Sequence, residues 1–213
     1  MPAITRRKLL ASAALTPFAA ALLGSSSQPR SSTATASQRE RVRQLHFPNV
    51  PLTTHEGKQV HFYDDLLCDK TATINFMYTS CADVCPLTTA RLVKVQKLLG
   101  DQVGRDIFMY SFTLDPKHDT PEVLNSFAAK FHVGPGWLFL TGKYDDLELL
   151  RVKLGFIDPD PQVDKDRANH IGTIEYGNEP LSLWGACPGL AHPEWIVKEI
   201  SWVIQPVGRV TKK

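Results

Sequence analysis

Cysteine is scarce in this chain: four residues in 213, at positions 68, 81, 85 and 187, too few to staple a domain of this size. With no second close pair among them, a structural zinc site of the four-cysteine kind is excluded. Acidic residues are missing before Glu40. Long apolar runs are missing too. The Ala/Leu-rich stretch Leu9–Gly24 has 16 residues and is interrupted by Pro17, short of the ~20 that cross a bilayer comfortably. No basic patch with interleaved aromatics occurs, so nucleic acid is not an expected partner.

What is present is an ordinary globular composition, 43% apolar and 22% charged, at a length that suits one domain with a substantial core. The formal charge of +2 hides an asymmetry. Seven basic residues against Glu40 give residues 1–43 a net charge of +6, which leaves about −4 on the remainder. The N-terminus has the form of an address: Thr5-Arg6-Arg7-Lys8-Leu9-Leu10 followed by the apolar run resembles a twin-arginine export signal. Ala34-Thr35-Ala36 offers a small-x-small cleavage site after a Ser-rich spacer. Residues 1–36 are therefore expected to be an export signal plus linker or, if uncleaved, an anchor in the inner membrane. Either places the domain, residues 45–206, in the bacterial periplasm or cell envelope, where the redox state of a thiol is a variable.

The pattern of the domain is strand and helix in alternation. "HEGKQVHFYDDLL" predicts a short hairpin around Glu56-Gly57, and "TATINFMYT" (Thr71–Thr79) a buried central strand. A helix with Pro86 in its first turn runs to Gly100. A second strand spans Asp106–Asp115, then a helix whose start carries Asp119, Pro121 and Glu122 in a capping-box pattern. Trp137–Gly142 is a third strand and Tyr144–Phe156 a third helix, followed by a polar loop rich in proline and aspartate. A hairpin turning at Gly177-Asn178 and an amphipathic helix from Pro193 to about Ile204 complete the chain. The alternation predicts an α/β three-layer domain with a central mixed β-sheet, in a thioredoxin-like arrangement with a cysteine loop after the first core strand. The tryptophans at 137, 184, 195 and 202 are assigned to core and hairpin packing. Cys68 is expected to pack as a small apolar residue and Cys187 to be buried.

Cys81 and Cys85, in "YTSCADVCP", fall between a strand end and a helix start, where unpaired N–H groups and the positive end of the helix dipole stabilise a thiolate. Their four-residue spacing lets both sulfurs point one way, to form a disulfide or to hold one ion. Two thiolates are a soft donor set that favours Cu(I) over hard cations, and a third ligand would be needed. Among seven histidines, His170 stands at the junction of the polar loop and the strand "IGTIEYG".

"YTSCADVCP", then "FTLDPKHDTPEVL", then a distant "NHIGTI" together resemble the Sco/SenC family of copper-binding, thioredoxin-like assembly proteins, over about Val50 to Ile204. The resemblance implies that Cys81, Cys85 and His170 bind copper, Cu(I) in preference to Cu(II), and that Asp115 supports the metal loop or a partner surface without ligating. It implies a metallochaperone that loads the binuclear copper centre of cytochrome c oxidase, or keeps that centre's cysteines reduced. The implied partners are the oxidase subunit carrying that centre, a thiol reductase and an upstream copper donor. The alternative is a periplasmic thiol–disulfide oxidoreductase that uses Cys81 and Cys85 as its catalytic pair. The chain departs from the family pattern at Asn169, where many members carry aspartate, at the turn Gly177-Asn178-Glu179-Pro180, and at Cys187.

Overall fold

The computed structural model describes residues 32–166, 169 and 172–204. Of the export signal and linker expected over residues 1–36, positions 1–31 lie outside the described residues, as does His170, and positions 32–36 fall in the first helix. In chain order the elements are α1 (Ser32–His46), β1 (Pro51–Thr54), β2 (Gln59–His61), a single π-type turn (Phe62–Leu67), β3 (Thr71–Met77), α2 (Val84–Leu99), β4 (Phe108–Thr113) and α3 (Pro121–Lys130). They continue with β5 (Trp137–Gly142), α4 (Tyr144–Lys153), α5 (Pro161–Asp164), β6 (Thr173–Asn178), β7 (Leu183–Pro188) and α6 (Pro193–Ser201). Among the described residues no helix is long and apolar enough to cross a membrane.

One seven-stranded mixed sheet has the order β2-β1-β5-β4-β3-β6-β7. β3 is its centre, and all seven of its residues are buried because helices cover both faces. β4 runs parallel to β3, with Phe76 opposite Phe112, and β5 parallel to β4, whereas β6 pairs antiparallel on the other side of β3. Strand alternation divides the core. Met109, Trp137, Phe139, Ile174 and Tyr176 pack with α2, α3 and α6 on one face. Ile74, Phe76, Tyr110, Phe112 and Leu140 pack on the other with Phe47, Leu147 and Leu150. This is the three-layer, thioredoxin-like α/β fold with a central mixed sheet that the alternation predicted.

Several elements differ from expectation, each for a local reason. The hairpin turns at Glu179–Ser182, closed by the Ser182 N–H on the Glu179 carbonyl at 3.0 Å, and Gly177 and Asn178 belong to β6. Gly177 is a glycine because Trp184 opposite lies over it: a β-carbon there would come within 2.2 Å of the indole ring. Helix α3 is capped by Thr120, whose hydroxyl accepts from the Val123 N–H at 3.4 Å, since the Asp119 side chain is engaged elsewhere. The third helix ends at Lys153, before Gly155 with its φ of 82°. The polar loop contains the short α5, capped by Asp160 and tied back by buried Arg151, which bonds Asp164 at 2.9 Å and the Phe156 carbonyl at 2.6 Å. Trp137 is core, its indole N–H on Ser111 Oγ at 2.9 Å, and Trp184 packs against Phe47, but Trp195 of α6 and Trp202 at its C-cap are exposed. They fall on the outer side of a helix whose inner side is filled by Ile196 and Ile200.

Helix α1 begins before Leu45, and its docking uses charge that sequence separation conceals. Arg39 donates from Nε to Glu179 Oε1 at 2.8 Å and from Nη2 to Glu179 Oε2 at 2.5 Å and Asp69 Oδ1 at 2.7 Å. The Tyr63 hydroxyl and the Asp69 N–H also donate to Glu179, whose carboxylate is 2% exposed. Cys68, expected as an apolar packer, is half-buried beside this group, its Sγ 3.8 Å from Arg39 Nη2. Glu179→Ala removes the acceptor that all four donors share. A loss of about 2–3 kcal/mol is expected, given the partly exposed guanidinium, which thermal unfolding would register as a drop of roughly 8 °C.

Candidate metal and thiol centre

β3 stops at Met77 and α2 starts at Val84, so the intervening loop carries Cys81 to the mouth of the helix, and Cys85 lies in its first turn. Both thiols are free and buried, Cys81 8% and Cys85 2% exposed, and both join the apolar cluster that includes Met77, Leu92 and Cys187. Asp83 stands at the N-cap of α2, yet its side chain makes no capping bond. The Cys81 sulfur takes that place: it accepts from the Cys85 N–H at 3.4 Å and from the backbone of Asp83.

This arrangement splits the two thiols in acidity. Burial alone would raise Cys81, but the backbone N–H groups of Cys85 and Asp83, aided by the Cys85 and Tyr78 side chains, outweigh it and hold the thiol below its ordinary range. Cys85 is pushed up to about 12, by burial first and then by its proximity to the Cys81 sulfur. The loop therefore pairs a more acidic thiol, Cys81, with one held as a thiol, Cys85. Iodoacetamide at neutral pH is expected to modify Cys81 first, with a rate that titrates below that of an unperturbed thiol. Cys85 should react only at strongly alkaline pH. Equal rates at the two positions, read by mass spectrometry of peptides, would refute the asymmetry.

The loop is latched to the segment after β4 by Asp119. This carboxyl is fully buried and accepts from the Thr79 N–H at 3.1 Å, from the Thr79 hydroxyl, and from the Thr113 hydroxyl at 2.5 Å, with His118 Nδ1 at 3.1 Å. Thr79 is two residues before Cys81. The sequence places Asp119 at a helix start, because Asp-Thr-Pro carries the composition of a cap. The signal that could have separated the roles is that only one of Asp119 and Thr120 can occupy the N-cap. Asp115 is half-buried in the same segment, its N–H on Thr113 Oγ1 at 2.9 Å, and it lines a surface hollow with Lys117, Gly142 and Tyr144.

The chain on either side of residues 167–171 approaches the cysteine loop. A β-carbon on Gly172 would lie 3.4 Å from Val84 Cγ1, and the Asp166 carboxylate acts on the Tyr78 hydroxyl. Gly172 also accepts the Gly189 N–H at 2.6 Å, which ties the β7–α6 connection to the same place. Cys187, paired with Ile174, is buried and pushed up to about 11, by burial and then by the Glu199 carboxylate.

Among the described residues one set of three ligand-type side chains converges, Cys68, Asp69 and Glu179, with donor atoms within 4.8 Å of one another. The Arg39 guanidinium already sits among all three. A cation would have to displace it, so the set is read as an ion-pair lock. The soft, apolar-walled pair Cys81 and Cys85 fits a monovalent soft cation by the chemistry of its donors.

A thioredoxin-like domain with a free dithiol at the first strand-to-helix junction defines a class of thiol and metal-handling proteins. The family model SCO1/SenC matches residues 39–171, more than half of the chain, and the chain belongs to that family. An SCO2-like protein of Rickettsia prowazekii is 32% identical over 110 residues, 52% of this chain and 52% of that protein. Across such curated relatives the matched stretch spans from 29% to 60% of their length. Among solved structures, yeast Sco1 with copper bound aligns with a TM-score of 0.59 at 20% identity, covering 78% of this chain and 99% of that one. BsSco, described as a Sco-family cytochrome c oxidase assembly protein with a disulfide switch, aligns at 0.59 and 23%, covering 74% and 92%. At these identities the structural likeness is one of fold.

Proposed function

We propose that this protein binds one copper ion as cargo through Cys81, Cys85 and His170, and passes it by ligand exchange to the binuclear copper site of cytochrome c oxidase. The observation that carries the proposal is the free Cys81–Cys85 pair at the mouth of α2. Family membership and the copper-bound yeast relative support it, as does the approach of Gly172, two residues beyond His170, to Val84. Two thiolates and an imidazole give a three-ligand soft set that favours Cu(I), with Cu(II) the alternative oxidation state. Cargo binding requires both thiols reduced, because a disulfide offers no thiolate. In an oxidising envelope that implies a reductase partner, beside the oxidase subunit and an upstream copper donor. Export by the N-terminal signal, with retention as an inner-membrane anchor the alternative, belongs to the same proposal, as does a supporting role for Asp115.

The split acidity of the two cysteines favours a second reading, a thiol–disulfide oxidoreductase. In that case the Cys81 thiolate attacks a client disulfide and releases one client thiolate. The Cys85 thiol then gives up its proton and attacks the Cys81 sulfur of the mixed disulfide, which frees the second client thiolate and leaves a Cys81–Cys85 disulfide for an external dithiol to reduce.

His170 discriminates between the two. His170→Ala is expected to weaken copper binding by more than the 10–100-fold that outer partners of a metal typically cost, and to leave exchange with a dithiol client unchanged. Competition with a chromogenic Cu(I) chelator measures the first and a gel-shift assay of thiol alkylation the second. Retained copper affinity in the variant would refute the three-ligand site, and a reduced wild-type chain that takes up no copper would leave the oxidoreductase.

A further inference from the structure

On the face of the sheet away from the cysteines, a cleft of about 270 Å³ opens between α1, the end of α4 and the β6–β7 hairpin. Val42, Phe47, Leu154 and Trp184 make its walls, with the Phe47 and Trp184 rings 5.0 Å apart and inclined at 45°. Glu175 lines it from β6. Unlike Glu179 in the lock described above, Glu175 has no hydrogen-bond or ion-pair partner among the described residues. The Trp184 indole N–H in the same wall is buried and also without an acceptor. Lys153 and His46 stand at the lip, joined through the Lys153 carbonyl and His46 Nδ1 at 3.4 Å, and both side chains are exposed.

We propose that this cleft is a binding site for a small organic cation with an apolar body, whose ammonium pairs with Glu175 while its body lies against Phe47 and Trp184. An apolar pocket with one oriented polar group is the usual form of a small-molecule site, and the aromatic pair suits a cation's desolvated flank. Burial alone pushes the Glu175 carboxyl up to about 8, with no compensating charge from Lys153 or His46. A bound ammonium supplies that charge and returns the group to carboxylate with release of a proton. Binding therefore strengthens as pH rises from about 6 to 8.5, a range in which the amine stays charged.

The test uses the full chain and phenethylammonium chloride, with 2-phenylethanol as its neutral counterpart, followed by chemical-shift perturbation and calorimetry. Saturable binding of the cation within about 10 mM is expected, with shifts centred on Phe47 and Trp184. Glu175→Gln, which keeps the shape, is expected to weaken the cation at least tenfold, to abolish the pH dependence, and to leave the alcohol unchanged. Equal cation affinity in wild type and variant, shifts centred elsewhere, or no saturable binding would each overturn the proposal. Trp184→Phe, which keeps the ring wall and removes the unpartnered N–H, is expected to keep the cation's preference for Glu175, and loss of that preference would count against the pairing.

Discussion

Cys81→Ser and Cys85→Ser will each abolish stoichiometric copper uptake by the reduced protein, the largest functional effect expected of any single substitution in the chain. A serine hydroxyl is a hard, neutral donor at neutral pH and cannot replace a thiolate toward a soft cation. The loss should exceed the 10–100-fold typical of an outer partner. The two variants differ in what else they disturb. Cys81 Sγ accepts the N–H groups at the start of α2, a role a serine hydroxyl also fills, so Cys81→Ser should fold with near wild-type stability. Cys85 is 2% exposed in an apolar cluster, where a shorter, more polar hydroxyl is desolvated and must still reach the Tyr78 backbone and the Cys81 sulfur that the thiol meets, at a cost of about 1–3 kcal/mol. Cys85→Ser should therefore show a lowered Tm as well as lost copper. Chelator competition and thermal unfolding on both variants separate the effects. Substantial copper binding by either variant would show that the pair is not the clamp.

Much of the fold was legible because burial imposes periodicity. β5 falls on Trp137–Gly142 as the sequence predicts, and β3 lies within its expected span, since a strand covered on both faces is mostly β-branched and apolar, its buried Asn75 being satisfied by the Ser111 hydroxyl at 2.7 Å. The cysteine loop was legible for the same reason: it is what remains between that strand and a proline-marked helix. The Arg39–Glu179 lock was not, because its partners are 140 residues apart and each looks like an ordinary surface charge. Helix α1 was hidden by a Ser/Thr/Ala composition that serves a linker equally well. Gly177 misled because a glycine beside asparagine signals a turn, whereas here it makes room for Trp184. Glu175 alternates with apolar neighbours on β6, as an exposed strand position would. Only the packing of α1 over that face turns it into a pocket wall.

Asp119 offers the second large effect, because it links stability to the geometry of the cysteine loop. Its buried carboxyl receives two donors from Thr79 and one from Thr113, so it joins the end of β3 to the end of β4, where the Leu114 N–H already meets the Met77 carbonyl at 2.8 Å. Asp119→Ala leaves the Thr79 N–H and two hydroxyls without their acceptor, each such loss costing about 1–3 kcal/mol. A net destabilisation of about 3–4 kcal/mol and a Tm drop of roughly 10 °C are expected. Asp119→Asn keeps the volume and one acceptor oxygen, and the hydroxyls can rotate toward it, so about half that loss is expected. Stability alone would make Asp119 a packing residue. A positioning role predicts more. In folded Asp119→Asn, measured well below its Tm, one of the two carboxylate oxygens that hold Thr79 is replaced by an NH2 group, the anchor two residues before Cys81 is weakened, and Cys81 alkylation should lose its advantage at neutral pH. Copper affinity should fall by about 10–100-fold, the range seen when an outer partner that orients a ligand is removed. Unchanged thiol reactivity and copper affinity in a folded but less stable Asp119→Asn would confine Asp119 to the fold.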